Sequence, residues 1–329
     1  MMLVLIAPHE FGHFIVAKLV GVKVNEFAIG MGPLIWQKQK GETKYSLRLI
    51  PIGGYNAMEG EDEDSEDPRG FNCQTPLKRI AILIAGVTMN VLIAIIICTI
   101  IVQMSGVAIN QLASVTPGSP AAVAGLQAGD KITAVNGETT KSWTDVTTAI
   151  DKFDPDNEDS IELSVRRGGQ QLTTTVVPEF NKDEGRYMVG ITCAISKNPI
   201  RCLGGGLQLT ANINNMMFQS FGMLFSGKAS ADDVSGPVGL VKVVNETRQM
   251  GLANYLLLLA LVSLNLALIN MLPIPALDGG KILFVIIKTI SKGKVTDEME
   301  YKATLLGFTL LMMLAVFVTV NDIGNLFGL

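Results

Sequence analysis

From Ile80 to Val102 not one residue carries a charge. An apolar helix needs roughly 20 residues to cross the hydrocarbon core of a bilayer, and a segment in that medium must bond every backbone group internally. The chain is thereby confined to membrane folds, with this helix set at 79–104. Lys78 and Arg79 stand at its start, so that end reads as cytoplasmic. Segments 1–20, 251–288 and 302–321 qualify as further spans. A hydrophobic content of 48% and a mean hydropathy of +0.38 agree. The fold class expected is a polytopic α-helical membrane protein of about four transmembrane helices carrying a polar insert. Its first partner is the lipid bilayer. The net charge of -4 leaves no basic face to recruit nucleic acid, and no such partner is expected.

The first span contains His9-Glu10-Phe11-Gly12-His13. Two histidines four residues apart lie on one helix face and can bind one Zn²⁺, and the glutamate between them is placed to act as general base. The chain has only 2 histidines, so a third protein ligand must be Asp, Glu or Cys. The segment has no basic leader region and no small-residue cleavage site, which separates it from a signal peptide. Pro8, inside the span, favours a kink or a break there.

Residues 21–58 change to β-like runs, Lys23 to Ile29, Leu34 to Lys38 and Lys44 to Ile50, separated by glycines and closed by Pro51 and Gly53-Gly54. Such a membrane-associated segment offers an edge for strand addition or, equally, a hairpin that caps the helix. Residues 59–78 open with acids from Glu59 to Asp67 and read as a solvated cytoplasmic loop. Residues 106–180 are soluble in character, with strand-like stretches at Ile161–Val165 and Leu172–Val177. The run from Ser119-Pro120-Ala121-Ala122 through Gly129-Asp130 to Asn136-Gly137 resembles the signature of bacterial PDZ domains, α/β modules that bind peptide ends or strands. Cys193 and Cys202 read better as unpaired small hydrophobes than as a disulfide. Residues 200–228 are uncharged from Cys202 to Gly227 but studded with Gln208, Asn212, Asn214, Asn215 and Gln219, the pattern of an amphipathic interfacial helix.

The third span ends in Asn270-Met271-Leu272-Pro273-Ile274-Pro275-Ala276-Leu277-Asp278-Gly279-Gly280. Two prolines break a helix at membrane depth, which is tolerated only beside a protein-buried or wet cavity. A carboxylate at that depth asks for a cation, so Asp278 is the preferred third metal ligand over Glu26, Glu42 and Cys98. The basic connection Lys288, Lys292, Lys294 and Lys302 reads as cytoplasmic.

HEFGHF, the PDZ signature between two spans, Ser235-Gly236-Pro237-Val238-Gly239 and the NMLPIPALDGG run, in this order, resemble the site-2 protease family and its bacterial RseP/RasP-type intramembrane zinc metalloproteases. The resemblance implies that His9, His13 and Asp278 bind Zn²⁺, that Glu10 activates water, and that Asn90 and Asn270 contact substrate. It implies cleavage of single-pass membrane proteins such as anti-sigma factors, in regulated intramembrane proteolysis, by an enzyme of the bacterial cytoplasmic membrane. Its active site would face the cytoplasm and its PDZ domain the outside. The motif around Asn90 departs from the family's AGPxxN, with Val87 for proline. Two other readings stand beside this one. A catalytically inactive relative would bind membrane proteins through its PDZ domain alone, and an ion transporter would need a mid-helix acid and inverted repeats, neither of which is found.

Overall fold

The computed structural model describes residues 2–61, 65–182, 184–226, 236–291 and 294–327. Acidic residues 62–64, Ser235 of the Ser235–Gly239 motif and Lys292 of the basic connection lie outside the described residues. The chain forms two compact units, Val102–Gly205 and the remainder.

In the larger unit, α1 (Met2–Val20) runs unbroken through Pro8, correcting the expected break. Leu5 and Ala17 on this helix are fully buried. Its Phe14 lies 5.1 Å from Phe27 and 5.9 Å from Tyr45, centroid to centroid, and so seats the helix on a sheet. That sheet is β1 (Val24–Lys40) with β2 (Thr43–Met58), and neither strand ends at the glycines or at Pro51 as the sequence suggested. The glycines mark register shifts within continuous strands instead. Phe27 consequently pairs with Tyr45 on one side and Asn56 on the other. At Gly30, φ is +84°, and a Cβ would stand 2.8 Å from the Ile50 carbonyl oxygen, so only glycine fits that bend.

The helix α2 (Pro76–Ser105) covers the uncharged run, and Lys78 Nζ reaches back to the Val20 carbonyl at the end of α1 (3.1 Å). Next to it lies α5 (Pro199–Phe225), which is two-faced as expected. Its buried face, however, is covered by protein. Ile213 joins Leu5, Ala94, Cys98, Leu259, Ala260 and Leu264 in one cluster, and a Cβ on Gly206 would run into Thr99. Gln208, Asn212, Asn215 and Gln219 are left on the exposed side.

After α6 (Pro237–Gln249), whose first turn is capped by the Asp322 carboxylate through Gly236 N (3.1 Å) and Gly239 N (2.7 Å), comes α7 (Leu252–Asn270). The prolines then interrupt the helix, and α8 (Asp278–Ser291) and α9 (Asp297–Phe327) follow. Among the described residues, four helices are long and apolar enough to cross a membrane: α1, α2, α7 and α9.

The smaller unit contains the inserted α/β domain. Its elements are β3 (Val107–Val115), α3 (Pro120–Val123), β4 (Lys131–Val135), β5 (Glu138–Thr139), α4 (Trp143–Asp151), β6 (Ile161–Arg167), β7 (Gln170–Val176), β8 (Glu179–Asn181), β9 (Arg186–Met188) and β10 (Ile191–Ser196). The main sheet has the order β10-β3-β4-β6-β7, with β5 beside β4. Its core is Leu112, Ile132, Val135, Val146, Leu163 and Val165 with their neighbours. Because β10 pairs with β3, the sheet continues well past the expected end at residue 180. Cys193 and Cys202 are both free.

Candidate metal centre

The apolar sequence of α1 makes a helix whose one-turn repeat stacks His9 over His13, and both imidazoles are buried. Their Nε2 atoms are 3.1 Å apart. Asp278 enters from the far end of the chain, in the first turn of α8, and its Oδ2 lies 3.2 Å from His9 Nε2 and 3.4 Å from His13 Nε2. The break after α7 delivers it there. Ala276 adopts φ +85°, a strained value for a residue with a Cβ. Gly279 and Gly280 let the start of α8 pack directly on the carbonyls of Met271, Leu272 and Ile274. The helix N-terminus also favours the carboxylate.

Each ring is held by its other nitrogen. His13 Nδ1 donates to the Ile82 carbonyl at 2.8 Å, which leaves Nε2 as a lone pair. His9 Nδ1 faces the buried side-chain amide of Asn90 at 3.3 Å. The Asn90 backbone carbonyl accepts from Ser263 Oγ on α7 (2.8 Å). Asn90 Oδ1 is buried without a partner; turning the amide over would satisfy it with the His9 Nδ1–H and free Nε2 of His9 as an electron-pair donor. Asp278 Oδ2 is buried and has no hydrogen-bond partner. With both rings neutral and protonated at Nδ1, three electron-pair donors converge on one point, an arrangement suited to a cation. A tetrahedral Zn²⁺ with bonds of about 2.0–2.1 Å spaces its ligand atoms about 3.3 Å apart. The observed separations fit that ion.

The structure gathers all the expected site residues. Asn270 Nδ2 lies 3.3 Å from His9 Nε2, so both asparagines meet the same histidine. Glu10 is half-buried on α1, and a Cβ on Gly54 of β2 would stand 3.6 Å from its Cγ. The sheet edge therefore runs beside the candidate base. The competing ligands are engaged elsewhere: Glu26 accepts from Arg48 (3.0 Å), Glu42 from Lys18 (2.8 Å) and Arg69 (2.7 Å), and Cys98 lies in the apolar cluster. Neither Pro8 nor Val87 interrupts its helix.

Sequence reasoning did not find Gly12, Gly86, Ile82 and Ser263. A Cβ on Gly12 would run into the Ala85 carbonyl, and one on Gly86 into the His13 ring. Their signal is the pair of small residues, one within each of two apolar helices, that lets backbones approach closely.

The fold and the cluster define a polytopic membrane protein with a buried His, His, Asp site of metal-binding type, clasped between its first span and α8, the helix that follows the third. Residues 1–314 match the model of peptidase family M50, and the chain belongs to that family. It is 37% identical to a putative zinc metalloprotease of Clostridium acetobutylicum, over 97% of this chain and 94% of that protein. It is 39% identical to one of Clostridium perfringens, over 97% and 95%. Identity to the regulator of sigma-W protease RasP of Bacillus subtilis is 29%, over 97% and 95%. Among solved structures, the PDZ domain of an SdrC-like protein of Listeria monocytogenes is similar at 27% identity, covering 27% of this chain and 87% of that one with a TM-score of 0.23.

Proposed function

We propose that this chain is an intramembrane zinc metalloprotease that hydrolyses peptide bonds within the membrane-spanning segments of other membrane proteins. The observation that carries the reading is the convergence of His9 Nε2, His13 Nε2 and Asp278 Oδ2 at 3.1–3.4 Å, on the helix that also bears Glu10. These three side chains hold the ion. When bound there, Zn²⁺ supplies Lewis acidity, polarising the scissile carbonyl and bringing the pKa of water down towards about 7.

The chain's own groups do the rest. Glu10 takes the proton of the attacking water and passes it to the leaving amine. Asn90 orients His9 through Nδ1, and the amide of Asn270, beside Nε2, donates to the substrate carbonyl. A helical substrate hides its carbonyls in its own hydrogen bonds and must unwind to be cut. The β2 edge from Gly54 to Met58, next to Glu10, takes the unwound segment as an added strand.

The substrates are single-pass membrane proteins of the anti-sigma-factor kind, a reading supported by the similarity to the regulator of sigma-W protease RasP of Bacillus subtilis. The protein lies in the cell membrane with the metal site towards the cytoplasm and the inserted domain outside. Lys78 and Arg79 at the start of α2, with Lys288 in the last turn of α8, Lys294 after it and Lys302 near the start of α9, support that orientation.

The test is reconstitution with a model transmembrane substrate. Wild type is expected to cut, to stop on zinc removal and to resume on its return. Glu10→Gln is expected to keep its zinc and lose activity by roughly 10²- to 10⁴-fold. A zinc-loaded wild type that cuts no transmembrane substrate, or cutting that survives Glu10→Gln, refutes the reading.

A further inference from the structure

The acidic run after β2 has no part in the chemistry above, yet two of its glutamates are engaged. The Glu59 carboxylate accepts from Lys23 Nζ (3.0 Å), Asn25 Nδ2 (2.9 Å) and Ser65 Oγ (2.6 Å), and its backbone N–H donates to the Lys23 carbonyl at 2.9 Å. Lys23 follows directly on the exit of α1, where Val22 N is still bonded to the Ala17 carbonyl at 2.8 Å. Two residues on, Glu61 accepts from Lys281 Nζ at 2.7 Å, and its side chain is only 13% exposed. Lys281 lies one helical turn beyond Asp278 on α8.

Residues 59–61 therefore tie the end of α1 to the first turn of α8. Those are the two elements that contribute the metal ligands, His9 and His13 from one and Asp278 from the other. We infer that the Lys281–Glu61 ion pair is a positioning clamp that holds Asp278 in register with the two histidines. The inference rests on the reading of His9, His13 and Asp278 as a zinc site. A partly buried pair holds more firmly than one in water, because solvent and salt screen it less. The exposed pair Lys302–Glu298, with side chains 70% and 74% accessible, is the opposite case.

The test is the rate at which zinc-loaded, full-length protein in detergent releases its metal to a chromogenic chelator. Lys281→Met and Glu61→Gln are each expected to speed release roughly tenfold, as loss of a support around a metal site does. The exchange Lys281→Glu with Glu61→Lys is expected to restore slow release, Lys281→Arg to preserve it, and Lys302→Met to leave it unchanged. Unaltered release from both neutral variants overturns the clamp, as does a charge exchange that releases as fast as they do. Far-UV helicity qualifies each variant. Where a neutral variant loses it, the charge exchange alone decides, slow release upholding the clamp and fast release overturning it. A wild type that retains no zinc refutes the metal-site reading itself, and the clamp with it.

Discussion

His13 donates from Nδ1 to the Ile82 carbonyl at 2.8 Å, and Gly86, one turn further along the same helix, leaves just the space that the imidazole fills. The ring is carried by α1 but its direction is set by α2. Close approach of the two helices at Gly12 and Gly86 makes this possible, and it fixes which nitrogen faces Asp278.

Gly86→Ala tests that arrangement. Its methyl group would run into the His13 ring, and the ring cannot swing aside without giving up the Ile82 carbonyl. Zinc affinity is expected to fall roughly 10- to 100-fold, with proteolysis falling alongside. Metal content after dialysis against a graded chelator measures it. Unchanged affinity in a folded Gly86→Ala protein means the ring has another way to reach the site.

The three candidate metal ligands that the fold brings together were legible in the sequence because the chain has only 2 histidines, at helical spacing, and an aspartate after a long uncharged run. Their supports were not. Ile82 acts through a backbone carbonyl, which leaves no trace in residue type, and Gly12 and Gly86 matter only once α1 and α2 are paired. The extension of the inserted domain to β10 escaped because its pairing with β3 joins segments separated by the whole domain. The glycines of residues 21–58 looked like strand ends, whereas the paired neighbours on both sides of β1 carry the strand through them as bulges. Glu61 looked like one more solvated acid, since its partner Lys281 lies 220 positions away.

In the inserted domain, Asp130 is fully buried and accepts from Arg167 Nε (2.7 Å), Arg167 Nη2 (2.7 Å) and the Gln127 backbone N–H (2.9 Å). The Arg167 guanidinium, and after it the Gln127 N–H, hold the carboxyl below its ordinary range despite burial. A group whose folded pKa is depressed adds stability above its unfolded pKa, about 3.9, and loses it as pH falls through the folded value. Asp130→Asn is therefore expected to unfold at a temperature lower by on the order of 5 °C at pH 7. The gap to wild type closes below about pH 4. Emission of Trp143, in the same domain, follows this in a Trp36→Phe background. A gap that persists at low pH shows that the ionised pair is not its source.

Gly54 separates presentation of substrate from binding of metal. A Cβ there would stand 2.8 Å from the Ala28 carbonyl oxygen, a backbone atom that cannot turn away, and 3.6 Å from Glu10 Cγ. Gly54→Ala must push the β2 edge off β1 and change its distance from the base, while His9, His13 and Asp278 keep their own supports. Misplacement on the scale of 1 Å costs up to about 10²-fold in rate, so kcat/KM is expected to fall at least tenfold with zinc content intact. Gly86→Ala, by contrast, loses both. Paired measurements of peptide cleavage and bound zinc on the two variants distinguish the cases. Full activity in Gly54→Ala would mean that the substrate does not use this edge.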